Sequence, residues 1–205
     1  MIVMNKVICI GRQFGSGGHV IAKRVAEKMG IDYYDKYLIE RAIEKSGLPA
    51  HAMEKADERT TPFIYEAYYE GNMKEHYGKS ANDIMYEAQK ELILEAADKG
   101  DCVVVGRCAH DIIRRESSHL AIHIFITAPM QYRINKVMER EKIEEKQAAA
   151  RIRKIDKARR AYYNYYTGGD WEKPSDYDMI FNSAQLGENN VVCMITEIAK
   201  KISVR

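Results

Sequence analysis

Four glycines stand close together near the start of the chain, in the segment GRQFGSGG at residues 11–18. They are Gly11, Gly15, Gly17 and Gly18. A β-branched run at residues 6–10 precedes them, and apolar residues at helical spacing follow. In such a strand-to-helix turn, backbone N–H groups converge where the helix dipole favours an anion. The segment therefore predicts a phosphate-binding loop, with the Ser16 hydroxyl and the N–H groups of residues 15–19 as donors; a purely structural turn is the alternative.

The loop departs from the common pattern G-x-x-x-x-G-K-[ST] at two positions. In that pattern the lysine reaches the β- and γ-phosphates and the hydroxyl holds Mg2+. Here Gly18 stands at the lysine position and His19 at the hydroxyl position, and the spacing from Gly11 to Gly17 is one residue longer. Because a charge-assisted contact contributes about 1.5–3 kcal/mol, transfer chemistry needs another cation. The candidates are Arg12, Lys23 and Arg107 for the missing charge, and Ser16 for the Mg2+ contact.

Short apolar runs alternate with helical patterns along the rest of the chain. We predict strands at residues 6–10, 31–34, 103–105, 120–126 and 177–181. We predict helices at residues 19–29, 37–45, 80–99, 109–116, 139–161 and 191–202, and one that opens at Ala128 and Pro129. Alternation of this kind predicts an α/β protein whose parallel sheet is covered by helices on both faces.

Composition restricts the class of protein. The 205 residues fit one domain, and the formal net charge of +2 does not favour nucleic acid as a partner. No apolar run approaches the roughly 18 residues of a membrane span, and the amino-terminal residues lack a signal-peptide pattern, so we expect a cytoplasmic protein. The four scattered cysteines predict neither a structural metal site nor a disulfide framework, and Cys9, Cys102 and Cys193 are expected to be buried.

Several motifs together carry a resemblance to a known family. GRQFGSGG is followed by YYDK, and later come VVVGRCAHDII, IHIFITAP, RIRKIDKARRAYYNYY and SDYDMIFNS. On these motifs the chain resembles the cytidylate-kinase-like family, a relative of bacterial cytidylate kinase and the nucleoside monophosphate kinases. The resemblance implies a single P-loop kinase domain over residues 1–205, a three-layer sandwich around a five-stranded parallel sheet. It also implies a helical acceptor-binding insert near residues 50–80 and a lid near residues 139–168.

The resemblance assigns roles to residues outside the loop. Asp35 matches an acidic residue after the second strand that faces the acceptor nucleotide, and Arg107 matches an arginine after the third strand that contacts it. Arg153 and Arg159 resemble lid arginines that fold over the transferring phosphate, with Asp156 orienting one of them. Further acceptor-site candidates are Arg41, Asp111 and Arg151. The catalytic candidates are Arg12, Asp35, Arg107, Arg153 and Arg159.

Simpler explanations exist for some of these residues. Arg153, Asp156 and Arg160 have the spacing of ordinary salt bridges on a charged helix, and Asp35 is also placed to cap a helix. An aromatic cluster ends the charged segment; its members are Tyr162, Tyr163, Tyr165, Tyr166 and Trp171. Core packing or a subunit contact is the favoured interpretation of this cluster, and base stacking is the alternative.

The function implied by the resemblance is ATP-dependent phosphoryl transfer, with Mg2+, to a nucleoside monophosphate. CMP or dCMP is the first candidate acceptor. The main alternative is a nucleotide-binding protein without transfer activity, because the loop lysine is absent. A module that binds single-stranded nucleic acid through residues 151–166 is a third hypothesis. Nucleotides are thus the expected partners, membranes are not, and a homodimer is one interpretation of the aromatic cluster.

Overall fold

The computed structural model describes residues 4–35 and 81–202. The predicted helix at residues 37–45, which contains Arg41, and the predicted insert at residues 50–80 lie outside these ranges.

Five parallel strands form one sheet in the order β2-β3-β1-β4-β5. They are β1 (Lys6–Arg12), β2 (Asp32–Tyr34), β3 (Cys102–Val105), β4 (Leu120–Thr127) and β5 (Met179–Asn182). β1 is central, and its residues pair in parallel with both β3 and β4. The predicted five-stranded parallel sheet is confirmed. Because parallel strands all end at the same edge, the segments that follow β1, β2 and β3 meet there.

Seven α-helices are seen within the described ranges. They are α1 (Gly18–Met29), α2 (Ala81–Lys99), α3 (Ala109–Glu116), α4 (Met130–Glu141), α5 (Glu145–Thr167), α6 (Ser183–Leu186) and α7 (Glu188–Lys201). α1 and α7 pack on one face of the sheet, against side chains such as Ile8 and Ile10. α2 and α3 pack on the other face, against Val7 and Cys9. This arrangement confirms the three-layer sandwich and explains why β1 is apolar on both faces.

α4 and α5 form a separate apolar cluster beside the glycine loop, made by Ile134, Val137, Ala148 and Ile152, with Phe14 packed against it. The prediction of one continuous helix over residues 139–161 is wrong. α4 ends at Lys142, which has a left-handed φ of 56°. A capping box then starts α5, in which the Gln147 side chain accepts the Glu144 N–H. The charge content of residues 139–161 did not reveal the break between α4 and α5, because both helices are rich in charged residues.

The burial of the cysteines agrees with the sequence predictions except at Cys193. No helix within the described ranges has the length and apolar character needed to cross a membrane. All four cysteines are free thiols. Cys9 and Cys102 are buried, as predicted, but Cys193 is exposed on α7, because it lies on the side of that helix away from the sheet.

Candidate active site

The glycine loop turns sharply between β1 and α1. Gly15 and Gly17 have φ values of 82° and 79°, which L side chains rarely adopt. A Cβ at Gly15 would also lie 2.9 Å from the carbonyl oxygen of Arg133, so α4 packs directly on the loop. Gly17 is the N-cap of α1, and the N–H groups of the first turn of α1 are therefore available to an anion at this point.

Two predicted nucleotide contacts in the loop have other roles in the structure. Gly11 lies within β1, where a Cβ would come 2.9 Å from the Phe125 ring, so its lack of a side chain serves packing across the sheet. Ser16 is fully buried, and its hydroxyl donates to the Gln13 carbonyl at 2.8 Å. Gly11 still lines the cavity beside the loop. The contact of Ser16 argues against this residue as a Mg2+ ligand, because its hydroxyl is buried and already donates to Gln13.

Arg12 occupies the space that a side chain at position 18 would need. A Cβ on Gly18 would lie 2.5 Å from the Cβ of Arg12 and 3.3 Å from that of Ile126. A lysine at position 18 would therefore collide with the side chain of Arg12, which links the missing loop lysine to the presence of Arg12. The Arg12 guanidinium lies 3.8 Å from Asp35, and only 11% of the Arg12 side chain is exposed.

Asp35 follows β2 and joins a cluster of polar groups beside the loop. Its Oδ2 lies 2.6 Å from His19 Nδ1 and accepts a hydrogen bond from the Tyr33 hydroxyl at 3.3 Å. Its Oδ1 faces Arg12. Burial, with the nearby Asp35 charge, raises the pKa of Tyr33, which keeps that hydroxyl protonated as a donor. The structure thus brings together Arg12, His19 and Asp35, three residues that the sequence singled out.

Three arginines from three different elements line one cavity at the carboxyl edge of the sheet: Arg12, Arg107 and Arg159. Arg159 on α5 donates to the Arg12 carbonyl at 3.1 Å. Arg107 follows β3 and is 5% exposed. Arg107 and Cys108 have φ values of 58° and 56°, a strained conformation of the kind found at functional sites. The cavity therefore concentrates positive charge next to the loop.

The remaining predicted charged residues lie outside this cavity. Asp111 is buried but faces Arg115 and Arg114 on its own helix, at 3.0 and 3.6 Å. Arg151 pairs with Glu141 at 2.5 Å, and Arg153 is exposed. The structure does not bring these residues to the three arginines.

Asp156 holds α5 against the glycine loop. Its Oδ1 accepts the Phe14 N–H at 2.7 Å, and its Oδ2 accepts from Arg133 Nη1 at 2.5 Å. Burial raises its pKa, although the Phe14 N–H and Arg133 oppose this shift. The resemblance predicted that Asp156 orients a lid arginine. It contacts α4 and the loop, and Arg159, one turn further along the same helix, also acts on its carboxylate through its charge. An orienting role towards Arg159 stays a prediction.

Sequence reasoning missed two loop residues. Gln13 Oε1 accepts from the Thr127 hydroxyl at 2.7 Å, and its Nε2 donates to Glu172 at 3.0 Å. The Phe14 ring lies between Arg140 and Arg159, at 4.8 and 5.7 Å from their guanidinium carbons. In the sequence, the signal for these two residues was the extra residue between Gly11 and Gly17. A longer loop needs contacts with a neighbouring element to hold it in place.

Aromatic rings also line this cavity. His123 stacks on His110 at 4.0 Å and contacts Tyr177 at 4.2 Å between ring centroids. Tyr162 is buried and donates to Gln89 at 3.0 Å, whereas 69% of Tyr165 is exposed. Part of the predicted aromatic cluster is therefore core, and Tyr165 is not.

We expect His123 to make stability depend on pH. Burial lowers its pKa to about 3, from an ordinary value near 6.5 in the unfolded chain. The folded state therefore binds fewer protons, and the free energy of unfolding should fall by about 1.4 kcal/mol per pH unit below pH 6.5. Urea unfolding of the wild type and His123→Gln at pH 8, 6 and 5 tests this. A wild-type slope that persists unchanged in the variant contradicts it.

Relatives among known proteins resemble the chain over almost its full length. It is 25% identical to a cytidylate kinase of Methanopyrus kandleri over 202 residues, which cover 95% of this chain and 93% of that protein. It is 26% identical to a cytidylate kinase of Pyrococcus horikoshii over 191 residues, covering 92% and 85%.

Solved structures and a family model complete the comparison. A crystal structure of a protein from Eubacterium ventriosum has a TM-score of 0.70 at 27% identity and covers 96% of this chain and 99% of that one. Shikimate kinase from Bacteroides thetaiotaomicron has a TM-score of 0.54 at 14% identity, with 97% and 99% covered, and shows that the fold is that of P-loop kinases. A model described as the cytidylate kinase-like family matches residues 7–185, so the chain belongs to the cytidylate kinase-like family.

Proposed function

We propose that this protein is a kinase that transfers the γ-phosphate of ATP to a nucleoside monophosphate, with CMP or dCMP as the first candidate acceptor. The convergence of Arg12, Arg107 and Arg159 beside the glycine loop carries this proposal. The family and the P-loop kinase fold support a nucleotide kinase, and relatives named cytidylate kinase support the choice of acceptor.

The cavity arginines are suited to phosphoryl transfer. That reaction needs positioning and positive charge on the equatorial oxygens of the moving group. In the proposed roles, the N–H groups of residues 17–19 bind the donor phosphates and Arg12 replaces the lysine. Arg107 and Arg159 bind the acceptor phosphate with planar donor forks. Asp35 holds Arg12 in place.

The proposal also covers the predicted lid and domain organisation. We take residues 1–205 as one cytoplasmic kinase domain, with α5 as the core of the lid. Arg153 lies six residues before Arg159, about 9 Å along the helix axis, so its contact with phosphate requires α5 to shift. Arg151 has the same requirement. Arg41 and Asp111 remain acceptor-site proposals, and Asp111 would have to exchange its contacts with Arg114 and Arg115.

ATP is expected to enter with a divalent cation, which neutralises phosphate charge in this reaction. The sequence led us to expect Mg2+ held by Ser16. The hydroxyl of Ser16 is buried against Gln13, so this residue does not fit such a role.

We expect the purified protein to release ADP from ATP in the presence of one acceptor among CMP, dCMP, UMP, AMP and GMP, and CMP or dCMP to be the best. Arg107→Ala should then raise the KM for the acceptor at least about tenfold, because a charge-assisted contact of 1.5–3 kcal/mol is lost. Lys200→Ala is the control, an exposed cation on α7 that does not line the cavity. ATP binding without turnover for any acceptor would favour the non-catalytic alternative, and no ATP binding would contradict the proposal altogether.

A further inference from the structure

His19 stands where the common phosphate loop has its Mg2+-binding hydroxyl, and it offers a different kind of ligand atom. It lies in the first turn of α1, and 60% of its side chain is exposed. Within the described part of the chain, the hydrogen bonds of this ring all involve Nδ1. Nε2 is therefore the ring atom available to a ligand that is bound at the loop.

The neighbours of His19 fix which nitrogen carries the proton. Nδ1 lies 2.6 Å from Asp35 Oδ2, so the Nδ1–H donates to that carboxylate. The Tyr33 hydroxyl donates to the same oxygen. Arg12, at 3.8 Å, faces the other carboxylate oxygen. In the neutral imidazole the hydrogen bond to Asp35 places the proton on Nδ1 and the lone pair on Nε2.

A histidine prepared in this way matches a known pattern of metal sites. Metal-binding histidines almost always donate their second N–H to a carboxylate, which orients the ring and raises the basicity of the ligating nitrogen. Imidazole favours zinc, copper, iron and nickel, whereas Mg2+ prefers oxygen ligands. The two positions from which the loop would offer a hydroxyl to Mg2+ do not provide one, since Ser16 is buried and position 19 is a histidine.

We propose that His19 Nε2 is a protein ligand to the divalent ion that accompanies the bound nucleotide, and that the site takes a first-row transition ion in preference to Mg2+. The inference rests on the proposed nucleotide-binding function and specifies its cation. Asp35 acts in it as a positioning residue, through the ring of His19.

Co2+ is a suitable probe, because its unpaired electrons shift the proton resonances of its ligands. With the full-length protein and ADP, we expect Co2+ to tighten ADP binding at least about tenfold more than Mg2+ does, as measured by calorimetry. Proton NMR of this complex should show a strongly shifted, solvent-exchangeable resonance from the Nδ1–H of His19. His19→Ser, which restores a hydroxyl, should lose this resonance and the preference for Co2+. Asp35→Asn should weaken Co2+ binding about 10–100-fold.

His119→Ser is the matched control. His119 also pairs with a carboxylate, Asp98 at 2.8 Å, but it precedes β4 at the opposite edge of the sheet from the loop. This variant should keep both the resonance and the preference. If ADP binds but the wild type shows no shifted resonance and equal affinities with Co2+ and Mg2+, the inference is overturned while the proposed function stands. If ADP does not bind with either ion, both are overturned. Because the resonance is read on the wild type, the test does not depend on the folding of a variant.

Discussion

Arg12→Ala is expected to lower kcat for phosphoryl transfer by about 10³–10⁵-fold, the range found when an arginine that stabilises the transferring phosphate is removed. The Cβ and Cγ of Arg12 fill the space that a side chain at position 18 would need, and its guanidinium lies 3.8 Å from Asp35. Its loss removes positive charge where negative charge develops in the transition state. The measurement is kcat with saturating ATP and the best acceptor, with circular dichroism to show that the variant is folded.

The clash between side chains at positions 12 and 18 allows a sharper test, in which a second substitution restores the kcat lost in the first. Gly18→Lys alone should be destabilised and inactive, because its Cβ would lie 2.5 Å from that of Arg12. Combined with Arg12→Gly, which removes the Cβ that causes the clash, the same substitution gains the room it needs and restores a common loop lysine. We therefore expect at least about tenfold recovery of kcat over Arg12→Gly alone.

Lys23→Ala is the control for this experiment. Lys23 was the other loop-proximal candidate for the missing charge, but its side chain is 62% exposed and pairs with Glu27 at 3.9 Å on the same helix. We expect it to leave kcat within about twofold, since such exposed pairs contribute little. Full activity in Arg12→Ala would contradict the role of Arg12, and loss of activity in Lys23→Ala would assign the role to Lys23.

The sequence predicted those parts of the molecule that depend on local patterns. Apolar β-branched runs located β1, β3 and β4, because the inner strands of a parallel sheet are buried on both faces, while the edge strands β2 and β5 were located by short mixed runs. The parallel direction of the predicted strands placed the segments after β1 and β3 at one edge, which is why Arg12 and Arg107 were found. The resemblance to a family added Arg159 and Asp35, whose sequence context alone permits a surface salt bridge or a helix cap.

Contacts between distant segments were not readable from the sequence. Arg153 and Arg159 lie on the same charged helix, and only the point at which α5 crosses the loop decides that Arg159 reaches the cavity. The contacts of Gln13 with Thr127 and Glu172 likewise join residues that are more than 100 positions apart. Ser16 illustrates the opposite error, because its type suited a metal ligand while its burial did not.

We expect Asp156→Ala to lower the free energy of unfolding by about 3–5 kcal/mol, because it leaves the buried Arg133 without its carboxylate. The side chains of both residues are about one-tenth exposed, so water does not replace the lost contact. The Phe14 N–H loses its acceptor at the same time. Urea unfolding at pH 7 measures the effect. Glu197→Ala is the control, an exposed carboxylate paired with Lys200, and should change stability by less than about 0.5 kcal/mol.

A double variant separates the cost of an unpaired charge from the value of the ion pair itself. Replacing a buried pair by apolar residues is often neutral, so Asp156→Leu with Arg133→Met should recover most of the stability lost in Asp156→Ala. It should not recover kcat, because the Phe14 N–H still has no acceptor and α5, which carries Arg159, is no longer held to the loop by this contact. Recovery of both stability and kcat would show that Asp156 serves only the packing of α4 against α5. Recovery of stability alone would show that it couples α5 to the glycine loop.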